Sequence, residues 1–264
     1  LGKGAKLTVA DNSGCNLFHY ICQSKAFGLL QIAYSRATES MGERLASKLI
    51  QKKNSSDETP LHFAAASQEC FQFLVNKGAD VLAKTKNFDS VAHYIARGDC
   101  VENFDVIPKG QLNVNASNLK METPLFTAIR YNQFEAARSL IQRNCNVNEQ
   151  NLHGINALLL AIKLARKQFV ELLLEHDADF EVTDPESMSP LHIAVEKSNK
   201  ELVSHLLKVD STGKLLKAVD LNGNTPFHVA ARVGDMEIML MLKEAGVSLN
   251  ERNHDAQTPL HIVA

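Results

Sequence analysis

The stretch TPLHFAAASQECFQFLVNKGADVLAK, Thr59–Lys84, decides the fold. Thr59 before Pro60 is a helix start: a hydroxyl at the N-cap accepts an otherwise orphaned N–H. Proline at the first helical position lacks only a donor that would be unpaired there anyway. The alanines after His62 make a thin helix that a second helix can approach closely. FQFLV then supplies apolar residues at helical spacing, suited to burial on one face. Gly78 stands where a left-handed residue ends a helix. The stretch therefore predicts two short helices followed by a polar segment.

The pattern recurs. TPLH stands at Thr59–His62 and Thr258–His261, SPLH at Ser189 and TPFH at Thr225. TPLF at Thr123, NALL at Asn156, SVAH at Ser90 and NLFH at Asn16 are near matches. Successive offsets are 43, 31, 33, 33, 33, 36 and 33 residues, a period of 33 with local deviations. Five of the seven prolines (Pro60, Pro124, Pro190, Pro226 and Pro259) occupy the second tetrad position. Apolar runs such as FEAARSLI, QFVELLL and MEIMLML follow in phase, as do ends such as RNCNVNEQ and EAGVSLNER, where Gly246 matches Gly78.

With this period, tetrad and repeat end, the chain resembles the ankyrin-repeat family over Asp11–Ala264. The resemblance implies an all-α solenoid of helix pairs joined by hairpin-like finger loops. About eight repeats start near 11, 54, 85, 118, 151, 184, 220 and 253, after a lead-in over 1–10. The last is truncated, leaving Leu260, Ile262 and Val263 without the polar cap that closes such a stack, so the chain reads as a fragment of a longer array. Repeat one carries an extra helical insertion over 35–53, in which Glu43–Lys53 predicts a helix with Leu45, Leu49 and Ile50 as its apolar stripe. Repeat three has Val91 at the proline slot and Pro108 ending its second helix early.

Composition narrows function. A net charge of −2 gives no global attraction to nucleic acid, and no apolar run reaches the ~18–20 residues needed to span a bilayer. Five cysteines without Cys-x-x-Cys predict reduced thiols, hence a cytoplasmic protein with the nucleus as the alternative. No catalytic motif is visible, and the family has no catalytic role, so no enzyme, cofactor, metal or small-molecule substrate is expected. Six of the ten histidines (His19, His62, His93, His192, His228 and His261) fall in the tetrad and stand a repeat apart, too far to share an ion. The resemblance gives them a structural role across the turn between repeats. STGKLLK, Ser211–Lys217, lacks the upstream glycine of a phosphate loop and predicts a solvated loop. RGD at Arg97–Asp99 falls at a turn between helices and reads as a chance match. Asp184 and Glu186 are expected to be solvated in a finger. Asn115 and Asn148 occupy the family's turn asparagine; bonding to local backbone is the simplest expectation, and the resemblance adds asparagine hydroxylation.

The resemblance implies binding of another protein by finger tips and inner helices. In repeats three to five these positions form a basic stripe (Lys86, Arg97, Lys120, Arg130 and Lys163) interleaved with Leu119, Tyr131, Leu152, Ile155 and Leu164. Arg97, Lys120, Arg130, Tyr131, Lys163 and Leu164 are the candidate partner-binding residues, since Tyr and Arg serve as anchors beside exposed apolar groups. The expected function is a non-enzymatic scaffold for an acidic extended or helical segment. Double reversal, Arg97→Glu with Arg130→Glu, is expected to abolish binding without unfolding. The alternative is the cytosolic regulatory region of a larger channel or enzyme. With no Trp and four scattered Tyr, an aromatic cage for methyl-lysine is not expected.

Overall fold

A computed structural model describes residues 7–108 and 110–263; residues 1–6 of the lead-in lie outside the described residues. The chain divides into two units, 1–146 and 147–264. Among the described residues the secondary structure is helical, with only isolated bridges pairing Ala10 with Asn16 and Lys84 with Ser90.

The first unit holds α1 (Leu17–Gln23), α2 (Phe27–Met41), α3 (Glu43–Ile50), α4 (Pro60–Ala64), α5 (Gln68–Asn76), α6 (Val91–Gly98), α7 (Asn103–Val106), α8 (Pro124–Arg130) and α9 (Phe134–Gln142). The second holds α10 (Ala157–Lys163), α11 (Lys167–Leu174), α12 (Pro190–Glu196), α13 (Lys200–Val209), α14 (Lys214–Lys217), α15 (Pro226–Val233), α16 (Met236–Glu244) and α17 (Pro259–Val263). Helices this short are marginal in isolation, so their stability comes from stacking. In the first unit α1 packs on α4, α4 on α6, and α6 on α8; in the second α12 packs on α15 and α15 on α17. The alanines make this close approach feasible: Ala64, Ala96, Ala128, Ala194 and Ala230 are fully buried. At the end of α6, a Cβ on Gly98 would come within 3.0 Å of the Ala66 Cβ and 3.1 Å of the Ala65 carbonyl oxygen. The RGD tripeptide is thus the close-packed end of α6, with Asp99 as its left-handed cap at φ 58°.

Four local expectations are corrected. In the insertion, Gly42 (φ 83°) breaks the chain between the 15-residue α2 and α3. Ala46 and Ile50 are fully buried whereas Leu45 is 48% exposed, because the buried face of α3 is set by the i, i+4 pair 46 and 50. Ile50→Val is therefore expected to cost about 1 kcal/mol and Leu45→Ala less than about 0.5, measured by urea denaturation. STGKLLK contains α14 with Leu215 buried; Asp210 accepts the Lys214 and Leu215 N–H groups at 3.2 and 2.7 Å. Asp184 is buried rather than solvated: its Oδ1 accepts two finger N–H groups and its Oδ2 pairs with Lys163 at 2.8 Å. Finally, Asn115 and Asn148 reach into the next repeat. Asn115 accepts from the Asn146 N–H at 2.8 Å; Asn148 accepts from the Asp179 N–H at 2.8 Å and donates to the Asp177 carbonyl at 3.2 Å.

Candidate partner-binding surface

Four of the tetrad histidines, His19, His93, His192 and His228, bridge neighbouring repeats. The N-cap N–H donates to the histidine Nδ1 at 3.1 Å in the Asn16–His19, Thr59–His62, Ser90–His93 and Thr225–His228 pairs, and at 3.2 Å in Ser189–His192. Accepting at Nδ1 puts the proton on Nε2. That nitrogen donates to a carbonyl of the following repeat: Glu58 from His19 (3.1 Å), Glu122 from His93 (3.0 Å), Asn224 from His192 (2.9 Å) and Gln257 from His228 (3.1 Å). The accepting carbonyl lies immediately before the next tetrad, so each ring pins a finger base to an inner helix. Burial pushes the pKa of His19, His93 and His192 below the usual imidazole range, and that of His62 down to about 4.

Repeats two, four and five depart from this pattern; in repeat two the buried His62 Nε2 has no hydrogen-bond partner. In repeat five Leu159 stands at the histidine position, and the N-cap Asn156 accepts from the Leu159 N–H (2.9 Å) and donates to the Asp179 carbonyl of the same repeat (2.7 Å). In repeat four Phe126 fills the histidine slot, and the buried Thr123 hydroxyl is left without a partner.

Each finger is organised by its first residue. Asn54 Oδ1 accepts the N–H groups of Ser56 and Glu58, and Asn118 Oδ1 those of Lys120 and Glu122, at 2.9–3.0 Å. Asn151, Asp184, Asp220 and Asn253 do the same in the second unit. The fourth finger residue is left-handed: Gly14, Asp57, Phe88 and Met121, then Gly154, Ser187, Gly223 and Ala256. Adjacent fingers are joined through backbone, for instance from the Leu119 N–H to the Asn87 carbonyl at 2.9 Å.

Fingers and inner helices of repeats three and four enclose a cleft of about 430 Å³. Asp89, His93, Tyr94, Arg97, Leu119, Lys120, Glu122, Arg130 and Tyr131 are among its lining residues. Arg97, Lys120, Arg130 and Tyr131 thus come together within one unit. The Arg97 guanidinium sits 4.8 Å from the Tyr131 ring centroid, a cation–π stack that orders both side chains. Arg130 pairs with Glu122, which is 7% exposed. Asn118 Nδ2 donates to Asp89 Oδ1 at 2.8 Å, and the Tyr94 hydroxyl to Glu58 Oε1 at 2.5 Å. The carboxylates of Asp89 and Glu122 are therefore engaged, while Arg97 and Lys120 stay exposed at the rim.

Lys163 and Leu164 belong to the second unit, at the end of α10. Lys163 is neutralised by Asp184, and Leu164 is 37% exposed. Ile155 is buried in its finger rather than presented with Leu152, which is 61% exposed. The pairings of Arg130 and Lys163 escaped the sequence reading because their acids stand 8 and 21 residues away, beyond any helical spacing. Phe88 and Met121 were also missed. Their signal is a bulky residue in the slot that Gly14, Gly154 and Gly223 occupy. At the other end of the second unit, Phe227, Met236, Met239, Leu240, Leu249 and Leu260 line an apolar groove of about 150 Å³. Among the described residues no helix is long and apolar enough to cross a membrane.

Sequence-family models described as "Ankyrin repeats (3 copies)" match residues 87–184, 143–214 and 191–264, and the single-copy "Ankyrin repeat" model matches 56–86. The chain belongs to the ankyrin-repeat family. The human ASB11 ankyrin repeat domain, known from a crystal structure, shares the fold with a TM-score of 0.64 at 24% identity, over 78% of this chain and 92% of that one. Ankyrin repeats generally mediate protein–protein interaction and are generally non-enzymatic.

Proposed function

We propose that the protein is a non-enzymatic interaction module whose repeats three and four take an acidic segment of a partner protein. The observation that carries this reading is the sidedness of charge in the cleft. Arg97 and Lys120 face solvent at the rim, whereas Glu122 is turned inward against Arg130 and Asp89 is held by Asn118. Tyr131 and Leu119, 47% and 57% exposed, supply apolar contact beside these cations. Stacking on Tyr131 preorganises Arg97, so less side-chain freedom is lost when it meets a carboxylate. The cations steer association, and the anchored aromatic and aliphatic groups supply most of the affinity.

Lys163 and Leu164 contribute less in this reading, Lys163 being matched by Asp184. The ion pair also changes the choice of test. Arg130→Glu would set a second carboxylate against buried Glu122 and disturb folding. Arg97→Ala with Lys120→Glu touches exposed side chains only. A labelled Glu-rich peptide is expected to bind the parent protein in a salt-sensitive way and to lose at least about tenfold in affinity on this variant, a change of about 1.4 kcal/mol. Equal affinity for both proteins, with unchanged circular dichroism, would remove the cleft from the account.

A further inference from the structure

Fingers three and four are unlike the other six at one position. A three-residue loop that ends in a left-handed residue ordinarily places glycine there. Gly14, Gly154 and Gly223 obey this, and Asp57, Ser187 and Ala256 are small or polar. Phe88 (φ 63°) and Met121 (φ 56°) are large, apolar and without the local hydrogen bonding that eases Asn or Asp into this region. Both stay largely presented to solvent: they are 51% and 49% exposed, and the Lys84 ammonium lies over the Phe88 ring, 5.8 Å from its centroid. Strain held by exposed apolar side chains on two hydrogen-bonded neighbouring fingers points to selection by a ligand rather than by stability. The cations around them, Lys84, Lys86 and Lys120, are exposed, and the carboxylates of the same fingers, Asp89 and Glu122, are engaged from within.

From this juxtaposition we infer that Phe88 and Met121 are apolar anchors, and that the partner is an extended segment in which acidic residues alternate with large apolar ones. This rests on the cleft reading above and narrows it. Charge complementarity fixes the acidic half of the pattern, and the paired finger-tip side chains fix the apolar half.

The test uses two fluorescein-labelled twelve-residue peptides of equal charge, one alternating Asp and Glu with Leu and Phe, the other with Ser in every apolar position. Binding to the full chain is compared with that of Phe88→Asn/Met121→Asn, since Asn tolerates the left-handed region. The apolar-acidic peptide is expected to bind the parent at least about tenfold tighter than the Ser peptide. The double variant is expected to lose that preference, to keep the Ser-peptide affinity, and to melt a few degrees higher, about 2–4 °C for each strained residue relieved. A merely structural role for the two side chains would lower melting and binding together. Equal binding of the two peptides to the parent, or a preference that survives in the variant, overturns the inference. Failure of the cleft reading looks different: Arg97→Ala/Lys120→Glu would then leave both peptides unaffected.

Discussion

Stability is expected to fall as pH drops from 7 toward 5, with the loss beginning near pH 6.5. His19, His62, His93 and His192 all have folded-state pKa values lowered by burial. The unfolded chain titrates these rings near 6.5. Below that value the unfolded state binds protons that the folded state refuses, so acid favours unfolding; the stabilisation is complete above about 6.5 and is lost as pH descends toward the folded values. For His62, whose folded value lies near 4, the gap corresponds to roughly 3 kcal/mol between pH 7 and pH 4, at about 1.4 kcal/mol per unit. The geometry gives the reason beyond desolvation: a proton added at Nδ1 would face the N-cap N–H, donor against donor. Carboxylates titrate mostly below this window. Urea midpoints measured at pH 7.5, 6.5, 5.8 and 5.0 should decline progressively below 6.5, and a flat series would contradict the bridging tautomer.

His192→Ala is expected to destabilise the second unit by about 3 kcal/mol. The ring is fully buried; its Nδ1 accepts the Ser189 N–H and its Nε2 donates to the Asn224 carbonyl. Alanine would strand both backbone groups and leave a cavity, and each stranded group costs about 1–3 kcal/mol. The same substitution at His261 is an internal control. That ring is exposed and lies beside its own N-cap hydroxyl, so its removal should cost less than about 0.5 kcal/mol. Equal effects at the two positions, in denaturant titrations of each variant, would contradict the assignment of buried bridge and exposed cap.

The fold was legible because its determinants are local and repeated. Thr or Ser before Pro marks five of the eight inner-helix starts, and the histidine three residues after the N-cap marks the bridge at His19, His93, His192 and His228. The finger scaffold was legible too, although unused: an Asn, Asp or Thr stands at the first position of every finger, from Asp11 to Asn253. What could not be read was orientation and pairing. Leu45 and Ala46 are adjacent in sequence, and only packing decides that the smaller residue faces inward. Charge counting overstated the basic stripe, because Glu122 meets Arg130 within repeat four and Asp184 of finger six meets Lys163 at the end of α10, pairings without a short sequence spacing. The candidate residues themselves were placed by the inner-face positions that the family resemblance implies, counted along the repeat. Arg97, Lys120, Arg130 and Tyr131 form one cluster in the first unit, and Lys163 and Leu164 belong to the second.

The central claim is that the cleft of repeats three and four binds an acidic partner segment. Its most direct test is selection of a displayed random-peptide library on the full protein, followed by sequencing of the clones that no longer bind Arg97→Ala/Lys120→Glu. The predicted result is a population rich in Asp and Glu that is depleted on the variant. Selected peptides without acidic bias, or an acidic population retained equally by the variant, would contradict the account.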